Sequence, residues 1–417
     1  MGKERPRELA QPRIPCEFTG AGVDDRFMTA RRREPPARDL PAELQVAATD
    51  GSILTDSRGR KYIDFVMGWC VGNFGWGRPA TTKAIQHFKG PDYVYPGYSY
   101  APWSELARLL TSLAPRSLRT CFRATGGSEA VDLAMQAAMI HTGRRAFLSL
   151  EDSYHGNSLA GLSIGASDSR ERVKNLLPHC AKIAAPLDAK ALRRIEQRLK
   201  RRDVAAFIME PISINLGVLI PEKDIIQRVR DLCRRYGTLF IADEVACGFG
   251  RTGRVFACEH FDLDPDMLCV AKAMSGGLAP IGAMIATTPI AKSMEENDGT
   301  FYSTYGWHPR SVAAAIATLR DLKANRARLL TGVAEMSEYF RVRLLQLEFE
   351  RPAAVRIQGL AIGIDVGDED HADTIQDKCR RNGLLVSTEG STVLLLPSLV
   401  IDQRTAARGL DILARSI

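Results

Sequence analysis

From residue 146 onward the hydrophobic pattern alternates between short apolar runs and longer amphipathic stretches, the rhythm of strand-then-helix units. Residues 146–150, 204–209, 239–242 and 265–271 read as strands of the largely apolar kind that a parallel sheet buries on both faces. Residues 224–236 are amphipathic: Ile225, Ile226, Val229, Leu232 and Cys233 share one helical face, and Gly237 suits a C-cap. Earlier in the chain, residues 51–59 predict a strand and turn, 61–65 a strand, 104–113 a helix and 119–124 a strand. Apolar positions at Ala130, Leu133, Ala134, Ala137 and Ala138 predict a helix straight after that strand. Beyond residue 310, a helix over 310–329, strands over 356–366, 384–387 and 392–396, and a closing helix over 404–415 predict a smaller α+β unit. Residues 1–40, rich in Pro and Arg and lacking periodicity, predict an arm over the surface.

The polar residues that interrupt this pattern fall where strands end: Tyr154, Glu210, Asp243 and Lys272. In a parallel sheet those ends share one edge, which predicts that the four converge in space. Lys272 stands between an apolar run and Gly276-Gly277. A lysine at such an edge suits Schiff-base chemistry, because partial desolvation favours a neutral amine. Gly126-Gly127-Ser128 opens a predicted helix, so its free N–H groups and hydroxyl offer an anion site; the same turn reads equally as an N-cap. Trp69 lies in a loop dense in glycine and tryptophan, residues 68–77, where an aromatic serves as an anchor or as a pocket wall. Gly248-Phe249-Gly250-Arg251-Thr252-Gly253 matches a dinucleotide fingerprint but lacks a clear following helix, which argues against that use.

Composition narrows the class without naming the chemistry. The 417 residues are 45% hydrophobic and 25% charged, which fits a globular protein with ample core. A net charge of +7 is dispersed along the chain, which argues against a nucleic-acid footprint. Nine scattered cysteines, without a CxxC pair, suit reduced thiols and a cytoplasmic protein. Cys258 and His260 alone do not make a metal site, and no apolar run is long enough for a membrane span.

An anion cradle, a strand-end lysine, a neighbouring aspartate and an aromatic together suit pyridoxal 5'-phosphate, which needs a phosphate site, a Schiff-base lysine and a carboxylate for its ring nitrogen. The chain resembles the class III (omega-type) aminotransferases of fold type I. The resemblance rests on residues 126–130, Tyr154-His155-Gly156, Glu210-Pro211, residues 239–253, and Pro265-Asp266 leading to Lys272. It implies an α/β fold: a large domain with a mainly parallel seven-stranded sheet, plus a smaller α+β domain built from both chain ends. The implied boundaries are an arm at 1–40, a first part of the small domain and linker at 41–75, the large domain at 76–310 and the small domain at 311–417.

The resemblance also implies roles. Lys272 holds the cofactor and moves the proton, Asp243 pairs with the ring nitrogen, and Tyr154 and Val245 pack its two faces. Gly126, Gly127 and Ser128 hold the phosphate, with Thr304 reaching the phosphate of a partner subunit in a homodimer. Glu210 stands beside cofactor and substrate, and Trp69 lines the substrate pocket. The implied partners are a small-molecule amine donor and a keto-acid acceptor, pyruvate or 2-oxoglutarate. The alternative is a lyase, decarboxylase or aminomutase of the same fold. Many members bind the substrate carboxylate with an arginine near the C-terminus, but the two corresponding places here hold Leu394 and Ser387. Arg123 or Arg310 would have to substitute. Otherwise the substrate is a primary amine, or one whose carboxylate lies far from the reacting carbon.

Overall fold

The computed structural model describes residues 44–166, 172–297 and 302–417. The expected arm at 1–40 lies outside them. In chain order the strands are β1 Val46–Asp50, β2 Ile53–Asp56, β3 Lys61–Asp64, β4 Leu118–Ala124, β5 Ala146–Leu150, β6 Cys180–Ile183, β7 Val204–Met209 and β8 Leu239–Asp243. They continue as β9 Met267–Val270, β10 Gly282–Thr287, β11 Ala354–Gln358, β12 Ala361–Asp365, β13 Leu384–Leu385, β14 Ser387–Glu389 and β15 Thr392–Leu395.

The largest sheet has seven strands in the order β4-β10-β9-β8-β7-β5-β6. β6, β5, β7, β8 and β9 pair in parallel, and β10 runs antiparallel to both β9 and β4. β5, β7 and β9 are buried at every position, which explains why β7 and β9 are apolar throughout and β5 is broken only by Ser149. Helix Lys223–Tyr236 covers one face with Ile226, Val229 and Cys233 and stops at Gly237, whose φ is 65°. Helix Gly127–Thr142 packs Ala130, Leu133, Ala134, Ala137 and Ala138 on the other side, with Ile208, Ile241 and Met284.

Two smaller sheets complete the fold. In one, β13 pairs in parallel with β3, so residues from both ends of the described chain share a four-stranded sheet. The other orders β11-β12-β15-β14, all antiparallel.

Three expectations are corrected. The stretch 356–366 is a hairpin, because Gly359 turns the chain with φ 59° where a Cβ would collide with the backbone of Thr252 and Gly253. The stretch 384–387 divides between two sheets after Leu385. The helix expected over 310–329 is Pro309–Leu345, since Val333, Phe340 and Leu344 resume its buried face beyond Gly332.

Candidate active site

The strand ends deliver their polar residues to one place. Tyr154 follows β5, Glu210 follows β7, Asp243 closes β8 and Lys272 lies two residues past β9. All four line a single cavity of about 350 Å³, together with Gly126, Gly127, Ser128 and Val245.

Asp243 is buried, and both of its oxygens are engaged. His155 donates from Nδ1 to Oδ2 at 2.7 Å, and the Val245 N–H donates to Oδ1 at 3.1 Å. The other ring nitrogen of His155, Nε2, is buried without a hydrogen-bond partner. Glu210, 2% exposed, accepts from Asn215 Nδ2 at 2.8 Å and from the Ile214 N–H at 3.3 Å. Burial pushes its carboxyl up to about 7; the Asp243 charge pushes the same way, and the Asn215 bond opposes. Tyr154 is 46% exposed, so one side of its ring is open to a ligand. Burial and then the Asp243 charge raise its phenol above the ordinary value.

The anion cradle is where β4 turns into helix Gly127–Thr142. Gly126 is the N-cap and no side chain caps the helix, so the first-turn N–H groups remain available to a phosphate. Ser128 therefore does not act as the cap; its hydroxyl accepts from the Asn157 N–H at 3.3 Å. The cradle has no room for larger side chains. A Cβ on Gly127 would lie 2.9 Å from Val245 Cγ1, and one on Gly156, where φ is 102°, would run into Ser128. Lys272 opens a short 3-10 turn, Lys272–Ser275, with φ 42°.

These residues fit pyridoxal phosphate. Uncapped helix N–H groups await an anion, a buried carboxylate held by a histidine faces the cavity, and a lysine and an aromatic complete it.

One expected residue lies elsewhere. Trp69 does not line the cavity; it is half-buried, with φ 55°, and packs on the core, while Val71 lines the wall instead. Thr304, expected to reach the phosphate of a partner subunit and not this cavity, is exposed. Among the described residues lining the cavity, Lys272 is the only Lys or Arg. Arg123 stacks over Trp103, with Cζ 4.0 Å from the ring centre, and Arg310 lies over Phe88 at 5.1 Å. Ser387 and Leu394 are buried and face each other across the β14–β15 ladder.

His155, Asn215, Val71 and Gly277 also belong to the site. His155 carried a usable signal, since it adjoins Tyr154 at a strand end. Asn215 and Val71 carried none, because their places depend on distant turns.

Fold and cavity together define a pyridoxal-phosphate enzyme of fold type I. The chain belongs to the class III aminotransferases: the model of that family, Aminotransferase class-III, matches residues 36–417. Members move an amino group from an amine to a keto acid with pyridoxal phosphate as cofactor. The chain is 32% identical to a putrescine aminotransferase of Pectobacterium atrosepticum, over 93% of this chain and 84% of the relative. It is 34% identical to an acetylornithine aminotransferase of Methanosarcina mazei, over 89% and 91%. A solved transaminase from a marine Virgibacillus superposes with a TM-score of 0.85 at 27% identity, covering 90% of this chain and 93% of that one. A PLP-bound amine transaminase from an uncultivated Pseudomonas species gives 0.83 at 28% identity, covering 98% of each. These relatives do not favour the lyase alternative.

Proposed function

We propose that this aminotransferase takes its amino group from a primary amine or omega-amino compound, with no carboxylate on the reacting carbon. The observation that carries this reading is the cavity lining. Lys272 is its only Lys or Arg among the described residues, and Lys272 would be taken up by the cofactor. No described Lys or Arg besides Lys272 lines the cavity to form an ion pair with a carboxylate on the donor's reacting carbon, so a donor without one gives up no contact there. The names of an amine transaminase and a putrescine aminotransferase among the relatives support the same class.

The cofactor, when bound, supplies an electron-withdrawing ring that acidifies the carbon carrying the amine. The protein's own residues do the rest. Lys272 Nζ would hold the cofactor, and the same amine would take the proton from the carbon carrying the substrate's amino group and return it. Asp243, fixed by His155 and the Val245 N–H, would pair with the ring nitrogen. Tyr154 and Val245 would pack the two ring faces, and Gly126, Gly127 and Ser128 would hold the phosphate. Glu210 would stand beside the substrate amine as an acceptor.

The exposed Thr304 lies between exposed Tyr302 and Tyr305, which pack with Tyr93 and Tyr95. That aromatic patch supports a homodimer in which the partner subunit's Thr304 completes the phosphate site. We take residues 76–310, which include the seven-stranded sheet, as the large domain, and 41–75 with 311–417 as the smaller one. The eight described cysteines are free thiols, which supports a cytoplasmic setting.

The test is to mix cofactor-loaded protein with primary amines and, separately, with α-amino acids, without an acceptor. Primary amines should bleach the cofactor's visible band, and pyruvate or 2-oxoglutarate should restore it, which names the acceptor. Bleaching by α-amino acids alone would contradict the substrate class. Unaided recovery with release of ammonia, phosphate or carbon dioxide would contradict amino transfer.

A further inference from the structure

Met67, Gly68, Trp69 and Cys70 have φ values of 48°, 57°, 55° and 68°, so four consecutive residues form a left-handed turn. Only one is glycine, and L-residues rarely adopt this conformation in succession. Something must hold it. Asp64, 3% exposed, accepts at Oδ1 from the N–H groups of Val66 at 2.9 Å and Met67 at 2.8 Å, the entry to the turn. Its other oxygen, Oδ2, accepts from Trp76 Nε1 at 2.9 Å.

The Trp76 ring sits in a slot left open by three glycines. A Cβ would come within 3.3 Å of the ring at Gly68, 2.9 Å at Gly72 and 2.8 Å at Gly277. Val71 closes on the same place, with its Cγ1 3.1 Å from a Cβ built on Gly277. Val71 and Gly277 line the cavity, and Trp76 does not. The indole thus stands behind the two residues that form this wall, and one of them is five residues past Lys272.

We propose that Asp64 and Trp76 are a positioning pair that fixes the Val71–Gly277 wall and thereby limits the size of the amine accepted. This rests on the amine reading above. The pair never touches the substrate; it acts through the wall.

The chemistry of the pair supplies a selective test. Asp64→Asn retains one acceptor oxygen for the turn but sets an amide N–H₂ against the indole N–H, donor against donor. Trp76→Phe removes that donor while keeping an aromatic ring. Asp64→Asn should therefore raise the kcat/KM ratio of a bulky to a small primary amine by roughly tenfold, within the range that hydrophobic pockets discriminate. Cofactor affinity, from absorbance titration, should stay within about twofold, and the Trp76 indole N–H should lose protection from hydrogen exchange. Adding Asp64→Asn to Trp76→Phe should cost nothing further, a non-additivity that marks direct coupling.

An unchanged size ratio with a deprotected indole would overturn the proposal. So would a parallel fall in cofactor affinity and in the rate for every amine, which marks a merely structural role. If Asp64→Asn does not fold, Trp76→Phe alone must raise the ratio, and failure to do so overturns it. Wild-type protein inert to the whole amine series would overturn the amine reading and this inference together. That result appears in the unmutated protein, so the two failures are told apart.

Discussion

Glu210 is the residue where burial and function meet most directly. Its folded-state carboxyl lies at about 7 against an ordinary 4.5, so the neutral form is favoured in the fold. The resulting stabilisation is fully present below the unfolded value and is lost as pH rises through the folded one. In the cofactor-free protein, the melting temperature should therefore fall between about pH 5 and about pH 8 more steeply than in Glu210→Gln. Parallel curves for the two proteins would mean that the Glu210 carboxyl is not shifted. Asn215 and the Ile214 N–H orient this group, and neither was legible from sequence, because a single 3-10 turn, Ile214–Leu216, brings them back to it.

At the scale of elements, Glu244 shows how one side chain ties a strand end to the turn that follows. It is fully buried and accepts from the N–H groups of Ala257 at 2.9 Å and Cys258 at 2.8 Å, and from the Cys247 thiol. Glu244→Ala would leave two buried N–H groups unpaired. At about 1–3 kcal/mol each, the variant should lose on the order of 3 kcal/mol in denaturant unfolding, and a loss near zero would contradict this.

The elements that surround Glu244 were largely readable. Val204–Met209 matches the expected run at both ends, and Leu239–Asp243 and Met267–Val270 fall within a residue or two of theirs. Buried parallel strands announce themselves by composition alone. The hairpin at Gly359 was not readable, since its turn is demanded by the backbone of Thr252 and Gly253, more than a hundred residues earlier. Polar residues at the ends of parallel strands were readable as a site because topology forces those ends together. Trp69 and Trp76 could not be told apart, because the left-handed turn decides which one backs the cavity.

Across the whole molecule, Arg251 joins parts of the chain that sequence keeps far apart. Fully buried, it donates to Asn73 Oδ1 at 2.6 and 3.2 Å, to the Leu360 carbonyl at 2.8 Å and to the Pro397 carbonyl at 2.7 Å. One guanidinium thus ties the segment after β3, the loop after β8, the β11–β12 turn and the stretch after β15. Arg251→Met keeps much of the length and strands all three acceptors. Stability should fall by about 3–5 kcal/mol in equilibrium unfolding. A change under about 1 kcal/mol would mean that the joins hold without it. This role was invisible in the sequence, where Arg251 sat inside a fingerprint-like glycine stretch.

The central claim is that Lys272 does the chemistry at the meeting point of these strands. Its most direct test is Lys272→Ala, followed by turnover with a primary amine and keto acid, by cofactor absorbance, and by thermal unfolding. The account predicts no measurable turnover and no covalent cofactor band, in a protein that melts as cooperatively as the wild type. Turnover at the wild-type rate in the folded variant would contradict it.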